Sequence, residues 1–219
     1  MNIDLEKVFD ECMAYKNKIK NNSLRDCCEK ILFDYKEKLI NKPATSGGHH
    51  YYKGGLLYHL YCVTRNAIAI MELYPNLKID SDLVIFGALL HDIGKAKNYT
   101  DWNGMSEHLG NGSPLLGHSY EGTHIVENYL SSYNLDDNFK NQVLHMIGSH
   151  MNEFSEWGAL VLPKMLEVII INYADNMDGH LQPAQEILNS VNKGEMYKIG
   201  NAPRNYYKSI NPDYDDSSE

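Results

Sequence analysis

The segment Val84-Ile85-Phe86-Gly87-Ala88-Leu89-Leu90 runs straight into His91-Asp92. Seven consecutive apolar residues leave no polar face for water, so other elements have to enclose this stretch. The two ligand-capable side chains that end it are then carried inside. A buried carboxylate is costly unless it is paired, hydrogen-bonded or bound to a metal. The chain must build its core around a charged group and give that group partners.

Two further stretches repeat the pattern. Asp175 follows Val168-Ile169-Ile170-Ile171-Asn172-Tyr173-Ala174, and His59 lies within Leu56-Leu57-Tyr58-His59-Leu60-Tyr61. Any one of these residues is easily satisfied by hydrogen bonds alone. Three apolar helices that each deliver a metal-competent side chain point instead to a shared centre.

The rest of the chain also reads as helix. Apolar residues recur at helical spacing from Leu5 to Ile19, and a second helix is expected from an N-cap at Ser23 to about Ile40. Gly54-Gly55 precedes a helix over Leu56–Leu73, closed by Pro75, and Asp80 or Ser81 caps the helix that ends at His91. Gly94 to Pro114 is rich in Gly, Asn, Asp and Ser and reads as a long loop. Helices are expected near Leu116–Tyr133, Asp137–His150, Pro163–Met177 and Pro183–Val191, followed by an acidic tail. No strand pattern stands out. The fold class is all-α.

Composition narrows the function classes. With 219 residues, 43% hydrophobic and 22% charged, the chain is an ordinary globular one. No apolar run is long enough to span a bilayer and the N-terminus lacks a signal-peptide pattern, so a soluble, cytoplasmic protein with no membrane partner is expected. Cys12, Cys27, Cys28 and Cys62 form no Cys-x-x-Cys pair, which leaves a thiolate zinc site without support. A net charge of −9 without a basic patch argues against long duplex nucleic acid, whose phosphates demand many cations.

His91-Asp92-Ile93-Gly94-Lys95, with a histidine upstream and Ala174-Asp175 downstream, resembles the HD superfamily of metal-dependent phosphohydrolases. The stretch Gly47-Gly48-His49-His50 through His59 resembles the HD domain of bacterial 3′-5′ exoribonucleases, as do Leu116-Gly117-His118-Ser119, Gly148-Ser149-His150 and Ala174-Asp175-Asn176-Met177-Asp178. In those exoribonucleases an OB-fold precedes the HD domain and two histidines are adjacent at the His150 motif. Here the first forty residues read as helices and Met151 holds the second place.

The resemblance implies an HD-domain helical bundle over 46–200, an N-terminal helical hairpin packed on it over 1–45, and a tail over 201–219. It implies His59, His91, Asp92 and Asp175 as core metal ligands, with His118 and His150 adding a second ion bridged by Asp92. Mixed imidazole and carboxylate ligation suits Mn, Fe, Ni, Co or Zn, with Mg admissible. The expected reaction is hydrolysis of a phosphoester in a nucleotide or a short single-stranded oligonucleotide, including 3′-5′ trimming of a strand, by a metal-activated water. Lys95 is expected to neutralise charge on the phosphoryl group. His50 is favoured over His49 to contact the phosphate or protonate the leaving oxygen, and Asp178 is expected to orient a ligand or bind sugar. Tyr99, Trp102 and His108, in the expected loop, are candidates for closing over a base. The competing class is a catalytically silent HD-fold protein that senses a nucleotide; retention of every core ligand and of Lys95 speaks against it.

Overall fold

In the computed structural model of the chain, the described residues are 3–104, 113–154, 158–188, 190–198 and 205–209. They form helices α1 (Leu5–Lys16), α2 (Asn22–Asn41), α3 (Gly55–Glu72), α4 (Ser81–Leu90), α5 (Lys95–Asn98), α6 (Ser113–Leu130), α7 (Asp137–Ser149) and α8 (Leu166–Leu188), and strands β1 (Met196–Lys198) and β2 (Asn205–Tyr207). No described helix is long and apolar enough to cross a membrane.

Helix α4 is the centre of the bundle. Every residue from Asp82 to Leu90 is buried, and the helix touches α1, α2, α3, α7 and α8. Fully burying Val84, Phe86, Leu89 and Leu90 contributes about 1.5–3 kcal/mol each. That sum exceeds the several kcal/mol that desolvating one ion costs, so the helix can carry Asp92 inward. Asp80 caps its N-terminus, accepting from the Asp82 and Leu83 amides. Asp82 in turn accepts from the Lys20 and Asn21 amides at 3.0 and 2.8 Å, tying the α1–α2 turn to α4. Helices α1 and α2 thus belong to the same core, through Val8, Phe9, Cys12, Leu24, Ile31 and Leu32. All four cysteines are free and buried.

The structure corrects four expectations. The cap of α2 is Asn21 rather than Ser23, its side chain accepting from the Leu24 amide. The Gly94–Pro114 stretch is not loop throughout, since α5 occupies Lys95–Asn98 and α6 begins at Ser113. The two helices expected over Pro163–Met177 and Pro183–Val191 are one. α8 passes through Pro183; beside it Gln182 accepts from the His50 amide at 2.9 Å, and Ala184 is buried. Finally, β1 and β2 pair antiparallel, with Tyr197 stacked on Tyr206. Three-residue strands are too short to leave an alternation in the sequence.

Candidate metal centre

Five helices aim their ends or inner faces at one point. α3 carries His59 among the buried Leu56, Leu60 and Val63. α4 ends in His91, and the turn that follows holds Asp92 and Lys95. α7 ends in His150, and α8 contributes Asp175 and Asp178. His118 comes from α6, where Gly117 adopts φ +70° and interrupts the helix one residue earlier. The approach of α6 depends on Gly94: a Cβ there would lie 2.0 Å from the His118 carbonyl oxygen and 2.6 Å from the Gly122 nitrogen.

His91 and His150 are built alike. Each is the C-cap of its helix, and each Nδ1 donates back to the carbonyl three residues earlier, Ala88 at 2.9 Å and Ile147 at 2.8 Å. A carbonyl only accepts, so Nδ1 carries the proton and a neutral ring presents a bare Nε2. His59 is set the same way, its Nδ1 bonding Asp178 Oδ2 at 2.7 Å. Asn172 donates to the His150 carbonyl at 2.8 Å, fixing the end of α7 against α8.

The four Nε2 atoms converge on Asp92. His59 Nε2 and His91 Nε2 lie 3.3 and 3.5 Å from Asp92 Oδ2, and His118 Nε2 and His150 Nε2 lie 3.4 and 3.6 Å from Oδ1. Asp175 Oδ1 joins the first pair, 3.2 Å from His59 Nε2. Both Asp92 oxygens are buried, and Lys95 Nζ, 2.5 Å from Oδ2, pairs with the carboxylate. Within each histidine pair the Nε2 atoms are 3.3 Å apart.

At that distance two ring nitrogens share either a proton or a cation. Two nitrogens each about 2.0–2.1 Å from one metal, at a near-tetrahedral angle, stand about 3.3 Å apart. The donors therefore fit divalent ions in two groups, His59, His91, Asp92 and Asp175 on one side and Asp92, His118 and His150 on the other.

Electrostatics agree at every group but His59. Burial pushes His91 down to about 4 and His118 to about 3, outweighing the Asp92 charge, so both rings are neutral as ligation requires. Burial also opposes charge on Asp92, but Lys95 and His91 overcome it and hold the carboxyl well below its ordinary range. Asp175 and Asp178 are likewise held low, since bonds from His59, and for Asp178 also from His50, exceed the effect of burial. For His59, burial is outweighed by Asp175, Asp178 and Asp92, which raise its pKa.

Beside the centre lies a cavity of about 340 Å³ lined by Thr45, Ser46, His49, Lys95, Tyr99, His118, Asp175 and His180 among others. The assignment of His50 over His49 needs correction here. His50 is buried with Nε2 on Asp178 at 2.7 Å and Nδ1 on the Tyr52 hydroxyl at 2.7 Å, so its ring supports the ligand shell. His49 lines the cavity, and its Nε2 is buried without a hydrogen-bond partner. Asp178 bonds two histidines and is not among the cavity-lining residues. Of the candidate lid residues, Tyr99 lines the cavity, Trp102 packs edge-on against Tyr51, and His108 lies outside the described residues. His145 accepts from the Lys164 amide, His124 stacks on Tyr120, and neither joins the centre. The sequence weighed His49 and favoured His50 over it; it did not single out Asn172, which nothing in the sequence marked.

A family model described as the HD domain matches residues 56–179. The 3′-5′ exoribonuclease YhaM of Bacillus licheniformis is 27% identical over 212 residues, 95% of this chain and 65% of that protein. YhaM of Bacillus subtilis is 28% identical over 211 residues, 94% of this chain and 65% of that protein. YhaM of Listeria welshimeri is 28% identical over 194 residues, 88% of this chain and 60% of that protein. The chain spans a little under two thirds of the length of these relatives. No solved structure matches.

Proposed function

The chain belongs to the HD-domain family, and on that premise we propose that it is a two-ion phosphodiesterase that removes nucleotides from the 3′ end of short single-stranded RNA. The observation that carries this reading is the Asp92 carboxylate, buried where two histidine pairs meet, with one pair facing each of its oxygens. The relatives' names supply the substrate class and direction, and the −9 net charge limits the reading to short strands.

Divalent ions in such a site lower the pKa of a bound water toward about 7 and stabilise charge on phosphoryl oxygens. The chain's own groups do the rest. Asp92 offers one oxygen to each histidine pair. His59, His91 and His150 hold their rings in the ligating tautomer through Asp178, Ala88 and Ile147. Lys95 lines the cavity with its ammonium beside Asp92, where it balances negative charge on a phosphate drawn into the centre. His49 lines the same space, within reach of His59 and Asp175, and serves as a hydrogen-bonding partner of the reacting phosphodiester. Thr45 and Ser46 bring hydroxyls to the rim for sugar or phosphate oxygens.

The test is a 5′-labelled oligoribonucleotide incubated with Mn, Co, Ni, Zn or Mg, alongside mononucleotides and a cyclic dinucleotide. A ladder shortening from the 3′ end supports the proposal. Turnover of mononucleotides alone moves the substrate to small nucleotides, and no turnover with any metal overturns the enzymatic reading.

A further inference from the structure

Helix α8 presents a second chemistry on its outer face. Leu166, Ile169, Tyr173, Met177 and Leu181 follow one another at spacings of three or four residues, and all are between 37% and 65% exposed. Residues at such spacing form one stripe along a helix. The inner face of the same helix is spent on Val168, Ile171, Ala174 and Asp178, which pack into the core and the metal centre. Scattered exposed apolar residues need no explanation, but a continuous stripe of five does.

We infer that this stripe is the interface of a two-fold symmetric dimer in which α8 packs antiparallel on α8 of a second copy, with the axis at Tyr173. Two features of the stripe select that occupant. Counted from Tyr173, its members stand at −7, −4, +4 and +8, so a two-fold rotation sets Ile169 against Met177 and Tyr173 against itself, with Leu166 and Leu181 one residue out of register at the ends. An isologous contact requires this self-complementarity. The exposed surface of the five side chains is on the order of 500 Å², about the apolar share of a standard interface of roughly 800 Å² per partner.

Charge argues against a nucleic-acid strand as occupant. α8 contains no lysine or arginine and four acidic residues, Glu167, Asp175, Asp178 and Glu186, whereas a strand is held through cations on its phosphates. Asn176 and His180, which line the cavity beside the metal centre, sit between the stripe positions. The second copy therefore borders the mouth of each cavity. The inference rests on the shape of α8 and is independent of the activity proposed above.

Sedimentation of the full chain across the micromolar range tests it, and twice the chain mass is expected. Tyr173→Glu, on an exposed position, is expected to weaken association at least about 30-fold, as for a central hot-spot residue, with an unchanged helical circular dichroism spectrum. A second variant does not depend on loss of binding. Tyr173→Cys puts two thiols near the axis and is expected to yield a covalent dimer with oxidised glutathione. Leu73→Cys, equally exposed on α3, is expected to stay uncrosslinked, and the native cysteines are buried. A monomer at all concentrations, or a dimer indifferent to Tyr173→Glu and not captured by Tyr173→Cys, overturns the inference. So does a Tyr173→Glu chain that keeps its association state and loses only oligonucleotide binding.

Discussion

Asp178 Oδ2 lies 2.7 Å from His59 Nδ1, on the side of the ring opposite the nitrogen that faces Asp92. The same oxygen also meets His50 Nε2 at 2.7 Å. One carboxylate thus fixes the tautomer of a ligand and is itself held by a second imidazole, the arrangement by which outer residues tune a metal ligand. Asp178→Asn is expected to lower metal affinity about 10–100-fold at the His59–His91 group, because the amide can offer an N–H where His59 needs an acceptor. A competitive metal titration reads this, and an unchanged affinity speaks against the role.

His49 and His50 are adjacent yet separable. His49→Ala is expected to lower kcat on the order of 10²–10⁴-fold with metal content intact, the range for a group acting directly on the reacting centre. His50→Ala removes a bond from Asp178 and is expected to weaken metal retention more than turnover in metal-saturated enzyme. Identical behaviour of the two variants would contradict the assignment.

Gly94→Ala places a methyl group against the His118 carbonyl and the Gly122 amide. Backbone cannot yield as a flexible side chain does, so α6 must move and carry His118 away from Asp92. Overpacking of this kind costs about 1–3 kcal/mol. The expected result is a lower urea midpoint together with loss of metal from the His118–His150 group. Full metal content would show that α6 does not depend on that contact.

The chelated protein is expected to lose stability as pH falls. His91 and His118 have folded pKa values of about 4 and about 3, below the unfolded value of about 6.5. Between pH 6.5 and 4 the unfolded chain takes up protons that the folded chain refuses, so unfolding becomes easier by a few kcal/mol over that window. The lowered carboxyls Asp92, Asp175 and Asp178 act in the same direction as pH falls through and below their unfolded range. His59, held high, acts oppositely: its contribution is complete below its unfolded pKa and fades as pH rises through the folded one. Urea unfolding at pH 7 and pH 4.5 in excess chelator measures the balance, and equal midpoints would refute it.

Much of the centre was legible in the sequence because its residues interrupt apolar helices. His59, Asp92 and Asp175 are conspicuous because each lies in or at the end of a largely apolar helical stretch. The orientation of His49 against His50 was not, since φ +48° at His50 turns two consecutive rings to different sides and no spacing rule encodes that. The single helix α8 was hidden by Pro183, a residue that locally reads as a helix break. The β1–β2 pair escaped because each strand is only three residues long and is held by pairing that no local pattern records.

The central claim is that Asp92 bridges two divalent ions, and anomalous diffraction from a crystal of the chain grown with manganese tests it most directly. Two peaks about 3.5–4 Å apart, one within reach of His59, His91 and Asp175 and the other of His118 and His150, with Asp92 between them, are the expected result. A single peak, or density away from Asp92, would contradict it.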